Sequence, residues 1–358
     1  MTSVLIMAGG TGGHVYPGLA VARVLHHRGV DVVWLGTRQG LEAKLVPPAG
    51  FHMEWISIKG LRGRGVTGWL LLPFRMMIAM GQALSVFLRR RPSVVLSMGG
   101  FVAGPGGLIA WLLRRPLVIH EANAIPGFTN RFLALVASRV LCGFPGTFGN
   151  QPKAKHVGNP VRKEIFNLPA PEERMSGDHE HLRVLVIGGS QGARALNAVV
   201  ARTFNQMSPD SRPELWHQCG ARWLNETRDV YGDNLNAVRL VEFIDDMADA
   251  YRWADVVLCR SGAMTVAELA AAGVGAILVP FPYATDDHQT ANAHYLVDHE
   301  AAILLPEAEC TSEKLQELFI TLGKNRDVTL KMAQHARECA MPDADVMVAQ
   351  VCEELAHA

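Results

Sequence analysis

Carboxylates are scarce in the first 160 residues of this 358-residue chain, where Asp31, Glu42, Glu54 and Glu121 stand against 17 Lys and Arg. The remainder carries 17 basic and 30 acidic residues, so a formal charge of zero conceals halves of +13 and −13. A basic half calls for an anionic partner: nucleic acid, an acidic membrane surface or a phosphorylated substrate. Long apolar runs are missing too. Although 49% of residues are hydrophobic, no run approaches the ~20 residues of a membrane-spanning helix, which excludes one. Met1-Thr2-Ser3 leads straight into a strand-like segment without the basic start, apolar core and cleavage site of a secretory leader, so a cytoplasmic location is expected. The six cysteines form no C-x-x-C pair and no His spacing of a zinc site, so reduced, packed thiols are expected, with no metal and no cofactor. Aromatics are few, 7%, and are not interleaved with the basic residues, which disfavours a nucleic-acid module.

What is present is an alternation of apolar runs, glycine turns and helix-forming segments. Val4–Ala8 precedes Gly9-Gly10-Thr11-Gly12-Gly13-His14 and a helical stretch; Val30–Leu35, Val94–Ser97 and Leu117–His120 continue the pattern. The plan restarts at Val184–Ile187 with Gly188-Gly189-Ser190-Gln191-Gly192, and Leu215–Gln218, Val238–Leu240, Val256–Cys259 and Ala276–Val279 follow. Such alternation predicts doubly wound parallel sheets with ligands at the C-terminal strand ends. The length exceeds one core, so two domains facing a cleft are expected: 1–160, 161–340, and a 341–358 segment packing back on the first. The boundary falls at Val157–Arg162, where Gly158 frees the backbone and Pro160 excludes helix. The first turn is not a dinucleotide fingerprint, because Val15 takes the third glycine position and the second strand ends in Gly36-Thr37-Arg38, with no acid for a ribose.

The most informative stretch is Val256–Leu269. An apolar strand enters Arg260-Ser261-Gly262 and then a helix-forming run, leaving backbone N–H groups at the helix start to hold an anion. Glu268 lies about one turn deeper on the same face, where a carboxylate suits two sugar hydroxyls. Phosphate on the turn and ribose at Glu268 describe a nucleotide. The alternative is a capping box formed by Thr265 and Glu268.

Seven segments then stand in one order: Gly9–His14, Gly99-Gly100-Phe101-Val102-Ala103-Gly104-Pro105, His120-Glu121-Ala122-Asn123, Gly158-Asn159-Pro160-Val161-Arg162, Gly188–Arg194, Glu242–Met247 and Arg260–Ala263. In this order the chain resembles the MurG family, bacterial enzymes that add N-acetylglucosamine to the undecaprenyl-diphospho-muramoyl-pentapeptide of peptidoglycan (lipid I to lipid II). The resemblance spans essentially the whole chain and implies an α/β, GT-B fold of two Rossmann-like domains. It also implies an inverting, metal-independent hexosyltransferase: the muramoyl C4 hydroxyl attacks the anomeric carbon and UDP leaves.

By that resemblance UDP-N-acetylglucosamine would meet Thr11, Gly12, Gly13, Asn123, Arg162, Ser190, Ile244, Ala263, Met264, Thr265, Val266, Ala267, Glu268 and Gln289. Arg162 either grips the diphosphate or pairs with an acid. The acceptor diphosphate would meet Gly12, Gly13, Gly99, Gly100, Gly104 and Asn130. His14, at a glycine turn and helix start, is the candidate base, with His120 and Glu121 as rivals and a capping role as its alternative. The chain departs from the family at Phe101, where relatives often carry Tyr, and at His288-Gln289, where they usually carry Gln-Gln.

The segment Trp69–Met80 is too apolar for a solvated loop. Trp69, Leu70, Leu71, Leu72, Arg75, Arg89, Arg90 and Trp111 suit docking on an anionic membrane surface; for Met76–Met80 a buried core helix is equally consistent. The implied partners are UDP-N-acetylglucosamine, undecaprenyl-linked lipid I, the cytoplasmic face of the inner membrane and cell-wall synthesis proteins. Diacylglycerol glucosyltransferases and UDP-N-acetylglucosamine 2-epimerases share the fold and are the alternatives.

Overall fold

A computed structural model describes residues 2–58, 72–177, 180–189 and 192–357. The chain divides into two compact units, Met1–Arg162 with Met341–Ala358, and Lys163–Ala340.

The first unit holds a seven-stranded sheet in the order β3-β2-β1-β4-β5-β6-β7. Its strands are β1 (Ser3–Ala8), β2 (Asp31–Gly36), β3 (His52–Trp55), β4 (Val94–Gly99), β5 (Leu117–Glu121), β6 (Arg139–Cys142) and β7 (Ala154–His156). All pairings are parallel. Val4, Leu5, Ile6 and Met7 are wholly buried, as a strand covered on both faces requires. The order reverses beside β1: the chain goes to β2 on one side and later returns to β4 on the other. The turns after β1, β4 and β5 therefore share one edge, the usual place for a ligand in such sheets.

Helix Gly12–His27 covers one face and packs over the buried Trp34, whose indole donates to the Ala8 carbonyl at 2.9 Å. Gly18 makes this possible, since a Cβ there would stand 2.7 Å from the indole ring. Helix Ala344–His357 joins the same core through Val348, Ala349 and Cys352, and Glu353 pairs with Arg28. Residues 341–357 thus fold with the N-terminal strands.

The second unit repeats the logic with six parallel strands, β10-β9-β8-β11-β12-β13. They are β8 (Arg183–Ile187), β9 (Glu214–Gln218), β10 (Val238–Val241), β11 (Val256–Cys259), β12 (Gly275–Leu278) and β13 (Ala302–Leu304). Here the order reverses beside β8, between β9 and β11. That places the turns after β8, β10, β11 and β12 along one edge.

Candidate functional site

In the first unit two glycine turns meet over the end of β1. Gly100 has φ +86, and a Cβ on it would stand 2.2 Å from the Gly9 carbonyl oxygen, so no larger residue fits. Gly99 lies against the ring of His14. His14 sits in the first turn of helix Gly12–His27, whose N-cap, Thr11, makes no side-chain cap. The amides of His14 and Val15 bond to the Thr11 carbonyl, which leaves those of Gly12 and Gly13 open for an anion.

His14 Nδ1 lies 3.3 Å from the Gly9 carbonyl oxygen and 3.5 Å from Thr11 Oγ1. A carbonyl accepts, so Nδ1 carries the hydrogen and Nε2, beside Gly99, keeps the lone pair. Crowding by neighbouring atoms is the largest influence on the ring and lowers its pKa; Glu121, the Gly9 carbonyl and Glu42 oppose it. The imidazole is therefore neutral at physiological pH and has a basic nitrogen to offer.

The two rival bases occupy different environments. His120 is wholly buried and donates from Nε2 to the Gly158 carbonyl at 3.0 Å, tying β5 to the Val157–Arg162 segment; burial lowers its pKa. Glu121, 3% exposed, accepts from Asn123 N, Asn123 Nδ2, Gly127 N and Asn130 Nδ2 at 3.0, 3.3, 3.1 and 2.8 Å. Four donors fill the lone-pair sites of a carboxylate, which makes Glu121 the organiser of the loop after β5. Asn130, expected at the acceptor diphosphate, is buried, 5% exposed, and donates from its amide nitrogen to Glu121. Gly104 is the second residue of helix Ala103–Leu112, near an open helix start and 3.8 Å, by its would-be Cβ, from Thr129. Arg162 belongs to the first unit and stacks its guanidinium 5.5 Å from the ring centre of Tyr16.

In the second unit helix Ala263–Ala272 starts directly after Gly262, which is extended at φ −64, ψ 144. Thr265 is thus the third helical residue, and the capping-box reading fails. The first amide to find a backbone acceptor is that of Val266, on Gly262 O at 3.0 Å, so those of Ala263, Met264 and Thr265 open at the strand edge. Val266, expected at the donor, is fully buried with its amide engaged by Gly262 O. Glu268 is partly exposed one turn deeper and accepts from the Tyr251 hydroxyl at 3.1 Å.

Ile244 is buried in the loop after β10. Gln218 ties that loop to the turn after β8, donating to Gly189 O at 3.2 Å and Glu242 O at 3.0 Å. Gln289 turns its amide oxygen to the Phe281 N–H at 2.9 Å, leaving its NH2 end for a ligand. Ser190 lies outside the described residues.

Of the residues expected at a membrane surface, Trp69, Leu70, Leu71 and the side chain of Leu72 lie outside the described residues. Helix Leu72–Arg90 buries Ala79, Ala83, Val86 and Phe87 but leaves Phe74, Met77 and Ile78 exposed, Met77 by 68%, so Met76–Met80 is not a core helix. Arg89 and Arg90 both bond to Glu54, at 2.8 and 2.7 Å, so one carboxylate offsets one of their two charges. Trp111 is exposed, and so are Phe128 (86%), Phe132 and Leu135 (71%), which the sequence reading missed. Helix Phe128–Ala134 packs on Ala103–Leu112 at Gly107, where a Cβ would stand 2.7 Å from Leu133.

Also missed were Glu42 and Tyr251. A signal for Glu42 was present: carboxylates are few in this half, and three of the four, Glu42, Glu54 and Glu121, are buried.

Comparison with known proteins gives the context. Residues 4–142 match the glycosyltransferase family 28 N-terminal domain and residues 183–348 its C-terminal domain. The UDP-N-acetylglucosamine–N-acetylmuramyl-(pentapeptide) pyrophosphoryl-undecaprenol N-acetylglucosamine transferase of Nitrosococcus oceani is 54% identical, over 99% of this chain and 98% of its own length. That of Alkalilimnicola ehrlichii is 52% identical over 98% of each. The crystal structure of Acinetobacter baumannii MurG superposes with a TM-score of 0.84 at 39% identity, covering 99% of this chain and 100% of the other. The S. aureus MnaA–UDP structure, 10% identical over 97% and 95% with a TM-score of 0.68, shows the shared fold alone. With both family-28 domains in place and half of its residues shared over nearly its full length, the chain belongs to the MurG family of glycosyltransferases.

Proposed function

We infer that the chain transfers N-acetylglucosamine from UDP-N-acetylglucosamine to the undecaprenyl-diphospho-N-acetylmuramoyl-pentapeptide of peptidoglycan synthesis, as a hexosyltransferase. The observation that carries this reading is family membership over 99% of the chain. In the second unit, the open start of helix Ala263–Ala272 is suited to the diphosphate and Glu268 to the ribose. In the first, the open amides of Gly12 and Gly13 are suited to the acceptor diphosphate.

In the proposed chemistry the muramoyl C4 hydroxyl attacks the anomeric carbon and loses its proton to His14 Nε2. The bond from that carbon to the diphosphate breaks, UDP leaves with the electron pair, and the configuration inverts. The helix start at Ala263 stabilises the charge that develops on the leaving diphosphate. The exposed side chains of Phe74, Met77, Trp111, Phe128 and Leu135, with Arg75 nearby, form the face proposed to rest on the anionic cytoplasmic surface of the membrane. Among the described residues no helix is long and apolar enough to cross it.

The test is transfer of labelled N-acetylglucosamine to a short-chain lipid I analogue, with and without EDTA and with diacylglycerol as a parallel acceptor. Transfer to the lipid I analogue alone, undiminished by EDTA, is expected. Transfer to diacylglycerol alone, or conversion of the donor to UDP-N-acetylmannosamine without transfer, would overturn the assignment.

A further inference from the structure

The Gly9–His14 turn is held by a carboxylate that has no role in the chemistry above. Glu42 is wholly buried; its Oε2 accepts the N–H of Gly10 at 3.0 Å, and its Oε1 accepts the N–H and the hydroxyl of Thr37, both at 2.8 Å. A buried carboxylate is costly unless such donors meet it. Three glycines make room for it: a Cβ on Gly9, Gly36 or Gly40 would stand 2.8, 2.7 or 1.9 Å from a Glu42 side-chain atom. Among the described residues no cation pairs with it, so its donors come from the turn after β1 and from the end of β2. One group thus joins the two loops that flank the first helix start.

We propose that Glu42 is the positioning residue of this turn: by anchoring the Gly10 amide to the end of β2 it places the Gly9 carbonyl, and with it the imidazole of His14, for glycosyl transfer. This rests on the reading of His14 as the base. Gly10 takes φ +94 with its N–H directed at Glu42, while the amides of Gly12 and Gly13 stay open. The ionisable groups that face His14 are Glu121 and Glu42, which favour its proton, and His120. Losing the Glu42 charge therefore moves His14 to a still lower pKa, a result that a purely packing role would not produce.

The experiment uses the full chain with Glu42→Gln, which keeps size and removes charge, and Thr37→Val, which removes one donor to Glu42. Three quantities are read: the NMR titration of the His14 ring, hydrogen exchange of the Gly10 amide, and kcat and KM with a soluble lipid I analogue. In Glu42→Gln, His14 is expected to titrate at lower pH, the Gly10 amide to exchange at least about tenfold faster, and kcat to fall at least about tenfold, with KM for UDP-N-acetylglucosamine within about twofold. If that variant does not fold, faster Gly10 exchange in Thr37→Val carries the same inference. An unmoved His14 titration with kcat within twofold in folded Glu42→Gln, or unchanged Gly10 exchange in Thr37→Val, would overturn it. Full turnover in His14→Ala would remove the base assignment alone, because the titration and exchange results still decide the role of Glu42.

Discussion

The hydroxyl of Tyr251 donates to Oε2 of Glu268 at 3.1 Å, although the two side chains come from different helices. Tyr251 is completely buried, so the carboxylate proposed to hold the nucleoside sugar is aimed from inside the core. Removing that hydroxyl in Tyr251→Phe is expected to weaken UDP binding about tenfold or more, since one hydrogen bond to a charged group is worth about 1.5–3 kcal/mol. Calorimetry with UDP and with its 2′,3′-dideoxy analogue checks this. If Glu268 grips the ribose, the substitution costs little or nothing with the analogue.

Replacing His14 by Ala should lower kcat by about 10²- to 10⁴-fold, the usual contribution of a positioned base. UDP-N-acetylglucosamine binding should stay unchanged, since the donor contacts proposed in the second unit remain. With the pKa of His14 lowered by its surroundings, the neutral form persists below the ordinary histidine value of about 6.5. Activity of the unsubstituted enzyme should therefore fall only below that pH, and a pH profile of kcat on a soluble acceptor measures the limb.

A second histidine governs stability rather than chemistry. His217 is buried, donates from Nε2 to Asn197 Oδ1 at 3.1 Å and accepts the Tyr231 hydroxyl at Nδ1 at 2.8 Å, and burial pushes its pKa down to about 3. Between about pH 6.5 and 3 the unfolded chain takes up a proton there that the folded chain refuses, so stability falls as pH falls, by up to about 1.4 kcal/mol per pH unit. Urea unfolding followed across this window should show a slope smaller by about one proton in His217→Gln than in the parent. Equal slopes would place the proton uptake elsewhere.

Gly100→Ala puts a methyl 2.2 Å from the Gly9 carbonyl oxygen at φ +86. A left-handed backbone with no space for the side chain costs on the order of 1–3 kcal/mol or more. Thermal unfolding should show the loss in the first unit, together with a fall in turnover, while UDP binding persists. An unshifted melting curve would mean that the two turns part easily.

Phe128 and Leu135 are so exposed that Phe128→Ser with Leu135→Ser should leave the fold and the turnover of a short-chain soluble acceptor within about twofold. The partition coefficient onto anionic vesicles, read by sedimentation, should fall by about a hundredfold or more, because burying each such side chain in a lipid interface is worth roughly 1.5–3 kcal/mol. Undiminished sedimentation would move the membrane face away from these helices.

Much of the fold is legible along the chain. The runs of Val, Leu and Ile in β1, β4, β8 and β11 are buried on both faces, and each is closed by a glycine or serine turn. What is hard to read is the short strands, β3, β6, β7 and β13: Ala154-Lys155-His156 has neither the length nor the apolar content of a strand, and it pairs because β6 offers its edge. The open helix starts at Gly12 and Ala263 follow from local composition, as does Glu268 one turn in.

The sequence by itself determined the alternation of strands, turns and helices, the segregation of charge, and the residue types at each strand end. The tertiary structure alone decided which of those groups are already committed: Glu121 to Asn123 and Asn130, Arg89 and Arg90 to Glu54, Val266 to the core, Glu42 to Gly10 and Thr37. The physical reason is strand order. Gly9 faces Gly100 because β1 lies beside β4 and not beside β3, and a side chain's partner across such a neighbour is set by how the sheet assembles rather than by the residues adjacent to it in the chain.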